Sequence, residues 1–441
     1  MRLPCECAIH YLNLDDFLLA IEKRRWLKSN ALRNLFKAVQ FRGITPNKRG
    51  DWLNQAEEFA DWNSWLPIAS KEAKAEETQE VIFKLYSLGT NTSRDEWVYG
   101  HSKNVVATKV QHFMEFYQTE QKRLKQENRK EQNIEDFVRH NIKWTTELTS
   151  HLVKGTKLKY RADRIISGFY RPFVSMFLYY DRIIVHRTCQ QTNIFPIDVK
   201  VENLAICTNG ITSNKSFEAI AITKIPDLHF CGDTTTLPLW IYDKEGFRYD
   251  NITDWALQQF RKHYANAQIE KMDIFHYVYA ILHDPRYRQK YALNLKTEFP
   301  RIPFHSDFFT WANIGEQLVK LHAYFEQVES YPLQRVDIKT GIMKVKLKAD
   351  KINHSIEIDT HTTLINIPEQ AWQYQLGNRS ALEWVLDQYK EKTPKDPTIR
   401  EKFNTYRFAD YKEQVIELLG KVCRVSVETM RLIELINTYE F

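Results

Sequence analysis

Lys154, Lys157, Lys159, Arg161 and Arg164 fall within eleven consecutive positions, with Asp163 the one acid among them. Side chains of this type at this spacing do one thing well. Each holds a positive charge that can grip a phosphate oxygen, and a strand and turn carrying them can track a phosphate backbone. Tyr170 and Arg171 follow closely and place a planar donor beside an aromatic ring, Arg being the side chain best fitted to bidentate contact with guanine. Arg182 and Arg187 extend the run. From Arg139 to Arg187 ten basic residues stand against Glu147, Asp163 and Asp181, a local excess of +7 in a chain of 441 residues whose total is +6. The same pattern also fits a solvated strand edge, where lysines discourage edge-to-edge association. Spacing does not separate the two readings.

Other chemistries lack their residues. A glycine-rich cofactor loop needs closely spaced glycines so that backbone can approach the ligand, and no two of the thirteen glycines lie two positions apart. The phosphate loop G-x-x-x-x-G-K is missing as well. No two of the fourteen prolines are adjacent, so the Pro-Pro dipeptide that amino-methyltransferases use to hold their target amine is also missing. Glu72-x-Lys74 and Glu120-x-Lys122 match the tail of a nuclease motif, but each sits in a charged helical segment and reads as a solvated face. The six cysteines lack paired C-x-x-C spacing and read as reduced structural thiols; Cys5-x-Cys7 would need distant partners to hold a metal. His276 and His283, seven apart on one expected helix, are the same-face pair to inspect for a metal, and none is expected.

These residues need elements to position them, and the apolar spacing predicts an α+β fold with short-stranded mixed or antiparallel sheets and packed helices. "CAIHYLNL" alternates like a strand and "LDDFLLAIEKRRWLKS" repeats like a helix, giving a β-α opening. Residues 104–144 predict one or two long helices forming a connector. From Leu158 to Tyr242, β-branched and aromatic runs predict a main sheet, and residues 341–367 a second set of strands. Helices are expected at "ITDWALQQFRKHY", "DIFHYVYAILH", "ALEWVLDQY" and "YKEQVIELLGKVCRVSVETMRLIELI". In the segment Asp284–Phe304, Tyr287, Tyr291, Leu295 and Phe299 recur at helical spacing. They predict an inward-packed helix with Arg286, Arg288 and Lys290 on its rim, stopped by Pro300 and Pro303. No uncharged apolar run approaches the roughly twenty residues that span a bilayer, and the N-terminus lacks a signal-peptide core, so a cytoplasmic protein is expected.

Several stretches occur in a telling order: "GDWLNQ" (50–55), "IFKLYSLGTNTSRDEWVY" (82–99), "FYRPFVSMFLYYDR" (169–182) with "IFP" (194–196), "DIFHYVYAILHDPRYRQKYALNLKTEFPRIPF" (273–304), "EWVLDQY" (383–389) and "VSVETM" (425–430). Together they resemble the C-terminal target-recognition (specificity) region of Type ISP restriction-modification enzymes. Those are large single-chain proteins that join nuclease, translocase, adenine-specific DNA methyltransferase and target-recognition parts. In that family the cofactor loop and the Pro-Pro motif precede this region, and "CAIHYLNLDDFLLAIEKRR" (7–25) resembles only the end of the catalytic fold.

The resemblance implies a remnant of a methyltransferase core and junction over 1–90, a helical connector over 91–150 and a DNA target-recognition domain over 151–441. It implies a chain that directs adenine methylation and restriction to a short site without being active alone. S-adenosylmethionine would be held by the missing catalytic part, with no cofactor in this chain. Its partners would be double-stranded DNA and the methyltransferase/translocase part, supplied in trans or lost. Lys154, Lys157, Lys159, Arg161, Arg164, Tyr170, Arg171, Arg182 and Arg187 are the candidate DNA contacts, while Pro172 and Phe173 read as packing residues. Two alternatives stay open: a chain that completes a split adenine-specific methyltransferase, and one that docks onto another subunit without touching DNA.

Overall fold

Two runs of apolar residues with no polar alternation mark the middle of the molecule. Ala205–Thr208 and Ala219–Ile222 are antiparallel strands, paired Cys207↔Ile220, and all eight of their residues are buried. Thr235–Pro238 pairs with the first of them on its other side, and Ser87–Leu88 completes a four-stranded sheet. Alternate residues serve opposite faces: Ala205, Cys207, Ile220 and Ile222 join one hydrophobic cluster, while Ile206, Ala219, Ala221 and Leu237 join the other. A sheet covered on both faces has no polar side to show, and the sequence reads as a continuous apolar run.

The computed structural model describes residues 9–12, 14, 20–30, 41–46, 52, 61–71, 80–127, 134–211, 215–338 and 341–439. Cys5, Cys7, Glu72, Lys74 and most of "GDWLNQ" lie outside them. The chain divides into compact units over Met1–Glu58 and Phe59–Phe441. In the first, Ile9–Tyr11 pairs antiparallel with Arg42–Ile44 and Ala20–Ser29 is helical, so a β-α opening is present.

In the second unit, the first cluster forms where Val106, Val110, Phe113 and Tyr117 line one face of the helix Lys103–Gln126. That face packs against a three-stranded antiparallel sheet of Tyr99–Gly100, Val174–Tyr179 and Ile165–Arg171. A second four-stranded sheet, ordered Gln334–Asp337, Thr362–Ile365, Ser355–Asp359 and Val345–Asp350, supplies Leu347, Ile356, Ile358 and Leu364. The helix Ala381–Tyr389, started by a reciprocal Ser380/Glu383 capping box, closes this side.

The other cluster is built on the helices Asp254–His263, Lys271–Ile281 and Phe308–Ala323. Gly315 marks their closest approach: a Cβ there would sit 1.8 Å from the His276 carbonyl oxygen. Only glycine fits so close a crossing. The helix Lys412–Asn437 belongs to both clusters, giving Val415, Leu419, Val422 and Val425 to the first and Leu432 and Ile436 to the second.

Four expectations are corrected. The strands between Leu158 and Tyr242 fall into three sheets rather than one: Asp181 ends the first pair at Tyr179, and Trp240–Tyr242 pairs with Arg248–Asp250 instead of joining the central sheet. The Asp181 carboxylate accepts from the Ile183 and Ile184 N–H groups and turns the chain, so Ile184 and Val185 are buried without being in a strand. The helix expected through Phe299 is broken into Pro285–Lys290 and Asn294–Thr297, although Tyr287, Tyr291 and Leu295 are buried as the spacing requires.

Two of the three basic residues expected on the rim of that segment are not there. Arg286 donates to the Ile436 and Tyr439 carbonyls and caps the last long helix, and Arg288 is enclosed, its Nε donating to the Leu282 carbonyl. Finally, Glu120 is fully buried rather than solvated. It is held by the Arg123 guanidinium at 2.5 Å and the Arg139 N–H at 3.1 Å.

Candidate nucleic-acid interface

The lysine run begins where a helix stops. Thr146–Val153 is capped at its start by the Thr145 hydroxyl, which accepts from the Leu148 N–H, and ends at Lys154 and Gly155, the latter at φ +73°. No strand follows, which corrects the expectation of a strand and turn from Lys154. The next residues run as an irregular segment whose carbonyls are satisfied by side chains of the Lys103–Gln126 helix. The Thr156 carbonyl accepts from Tyr117 Oη at 3.0 Å and Gln121 Nε2 at 2.9 Å, and the Leu158 carbonyl from Gln118 Nε2 at 3.1 Å. Leu158 points inward and is buried. With carbonyls and Leu158 pinned, Lys157 and Lys159 on either side stand in solvent, as does Lys154.

The turn arrives at Ala162–Arg164, just before the strand Ile165–Arg171. There Arg161 lies 2.5 Å from Asp163, and Arg164 lies 2.9 Å from Asp198. The Arg161 hydrogen bond holds the Asp163 carboxyl below its ordinary range. Exposed pairs of this kind are weak because solvent screens them, so a phosphate can take the place of either acid at small cost. The register Ile165↔Tyr179, with the Tyr180 N–H donating to the Arg164 carbonyl at 2.8 Å, brings exposed Arg182 alongside this turn. Arg187 is exposed elsewhere, on a segment whose backbone pairs with Asn91.

Tyr170 and Arg171 behave differently. A register shift between Phe169 and Arg171, with Phe173 at φ +58°, turns this pair inward. Arg171 stacks 4.0 Å over the Tyr170 ring and donates to Asp227 Oδ1 at 2.7 Å, while Tyr170 Oη donates to Asp95 Oδ2 at 3.1 Å. Arg171 keeps 15% side-chain exposure and Asp227 2%. Burial pushes the Asp227 carboxyl up to about 6 against the opposing pull of the Arg171 guanidinium. The structure therefore brings Lys154, Lys157, Lys159, Arg161, Arg164 and Arg182 to the surface and assigns Tyr170 and Arg171 to an internal brace. Pro172 and Phe173 are buried.

A second basic edge escaped the sequence reading. Val345–Asp350 is an edge strand with Leu347 buried and Lys346 and Lys348 exposed, flanked by exposed Lys344 and Lys351. Lys346 is paired with Glu357 and Lys351 with Glu383. The signal was present in "KVKLKADK", where lysine alternates with apolar residues. Among the described residues no group of histidine, cysteine and carboxylate side chains could hold a metal. His283 is buried, with Nδ1 bonded to the Tyr279 carbonyl, and burial holds it neutral.

The family model described as the Type ISP C-terminal specificity domain matches residues 81–418. The chain belongs to this family. As a Type ISP specificity domain it is similar to the DrdV chain of a cryoEM DrdV–DNA complex, with 42% identity and a TM-score of 0.89 over 97% of this chain and 43% of that one. It is also similar to a nuclease-deletion mutant of the Type ISP restriction-modification enzyme LlaGI in complex with a DNA substrate mimic. That match has 27% identity and a TM-score of 0.80, over 98% of this chain and 33% of that one. The ATP-dependent Type ISP enzyme LlaBIII bound to DNA matches at 25% identity and a TM-score of 0.82, over 99% and 28%. The specificity domain thus spans less than half of the solved chains it resembles. No curated protein matches it. These likenesses bear out the α+β reading of small antiparallel sheets and packed helices.

Proposed function

We propose that this specificity domain grips double-stranded DNA and reads a short target site, directing an adenine-specific methyltransferase and translocase part to it. One observation supports this above the others: the fold is shared at 42% identity over 97% of the chain with a protein solved as a DNA complex. The surface chemistry agrees. Lys154, Lys157 and Lys159 are exposed on a segment held rigid from behind, and Arg161, Arg164 and Arg182 adjoin the turn that follows it. Phosphate grips of this kind set position, and base contacts then set sequence. Catalysis and S-adenosylmethionine binding are left to the partner part, since the glycine and proline spacings they need do not occur here. Tyr170 and Arg171 drop out of the contact set.

Fluorescence anisotropy of a labelled random duplex, titrated with the chain at several salt concentrations, tests the reading. Binding that weakens steeply with salt is the expected result. No binding at low salt would refute a self-standing DNA grip and favour a docking role.

A further inference from the structure

We propose that a cavity of about 550 Å³, between the start of the Lys103–Gln126 helix and the segment 388–411, is a site for a nucleobase carrying a phosphate. Its size falls within the range of small-ligand pockets, which runs from about 300 to 1,000 Å³. One wall is aromatic. His101 lies 5.1 Å from Tyr406, and Tyr406 stacks on Tyr411 at 5.4 Å and 26°. These three rings line the cavity and are each partly exposed, while Tyr389, stacked behind His101 at 4.6 Å, is buried. Every base has a face that stacks on such rings. Burial holds His101 down to about 4, so at neutral pH its ring offers one donor and one acceptor. With one nitrogen engaged by the Gln388 backbone, the other can meet a base edge.

The floor holds a cation. Lys109 is buried, and its Nζ donates to the Glu96 and Tyr99 carbonyls, each at 2.6 Å. An ammonium has three donors, and no carboxylate lies within ion-pairing distance of this one among the described residues. Burying such a charge is costly unless it is well paired. The lining carboxylates leave it room. Glu96 accepts the Lys395 and Asp396 N–H groups, Asp95 accepts from Tyr170, and Asp410 is exposed. At the rim, Lys390 is exposed and has no ion-pair partner among the described residues, whereas Lys392 is tied to Asp387 at 3.2 Å. Aromatic wall, buried ammonium and free rim lysine match a planar base with an attached phosphate.

That ligand has two sources: a free nucleotide, or a base extruded from bound duplex. The second rests on the DNA reading above and the first does not. The full chain is titrated in one arm against 2-aminopurine riboside 5′-monophosphate. The other arm uses a duplex first selected from a random pool for binding to the chain, with 2-aminopurine placed at successive positions and an end label reporting duplex binding. A fluorescence change in the first arm identifies a free nucleotide; a change at one position in the second identifies an extruded base. Tyr411→Leu should weaken the responding arm by roughly fivefold or more, the low end of one base–ring stack. Lys390→Ala should weaken it more at low salt than at high. Duplex binding with no 2-aminopurine change in either arm overturns the site and spares the DNA reading. A first-arm change without duplex binding does the reverse, and an unaltered response in Tyr411→Leu overturns the site.

Discussion

Two parts of one basic segment meet opposite fates. Lys154, Lys157 and Lys159 face solvent with no acid beside them, and Tyr170–Arg171, eleven residues on, is folded inward onto Asp95 and Asp227. What separates them is distant in sequence. Asp227 lies 56 residues after Arg171, and Asp95 lies 75 before Tyr170. A local charge count treats both stretches alike, so the role of an arginine is decided by carboxylates that only the fold brings near.

Removing Arg171 should break this comparison most visibly. Arg171→Ala leaves the Asp227 carboxylate buried and unpaired, and loss of one partner of such a pair costs about 3 to 5 kcal/mol. Denaturant unfolding should show that loss with no change in the salt dependence of DNA binding. A salt slope that fell with Arg171→Ala would return this residue to the interface.

Next in size is the double charge reversal Lys157→Glu with Lys159→Glu. It should flatten the dependence of log affinity on log salt by about two units and change unfolding free energy by less than about 0.5 kcal/mol. Unaltered DNA affinity would favour the docking reading.

The carboxylates extend the contrast to pH. Asp227 has a folded pKa raised to about 6, so the folded state holds its proton more tightly than the unfolded chain. Its contribution to stability is complete below about 4 and is lost as pH rises through about 6. Asp227→Asn should abolish that decline. Asp163→Asn, at the exposed turn, should leave it in place. Stability curves from pH 4 to 8 for both variants decide the matter.

The smallest effect belongs to the overlooked edge. Lys348→Ala should leave stability unchanged and lower DNA affinity by a few-fold at low salt, with the salt slope falling by about one unit if that lysine meets a phosphate. No change would assign the edge to guarding against strand association.

Much of the architecture was legible because its period is local. The helices Asp254–His263, Lys271–Ile281, Ala381–Tyr389 and Lys412–Asn437 appear where apolar spacing placed them, and the family resemblance held across the chain. The misses share a cause. Lys154–Arg161 is not a strand because its carbonyls are met by Tyr117, Gln118 and Gln121, 35 to 40 residues upstream. Glu120 looked solvated because Arg139, which helps to enclose it, lies beyond its own helix. Arg286 looked like a rim residue because the carbonyls it caps come 150 or more residues later. The lysines of the candidate interface were visible in sequence, but their orientation depended on Leu158 turning inward.

The helix Lys412–Asn437 also sets a schedule for the chain's synthesis. Since it closes both hydrophobic clusters, neither can be completed until residues near 437 have been made. Everything from Trp62 onward must wait, partly assembled and in need of protection, for one late helix to arrive. A nascent chain stalled before Lys412 would present two open greasy seams to proteases and chaperones, and destruction should follow translation arrest faster than it follows any surface substitution.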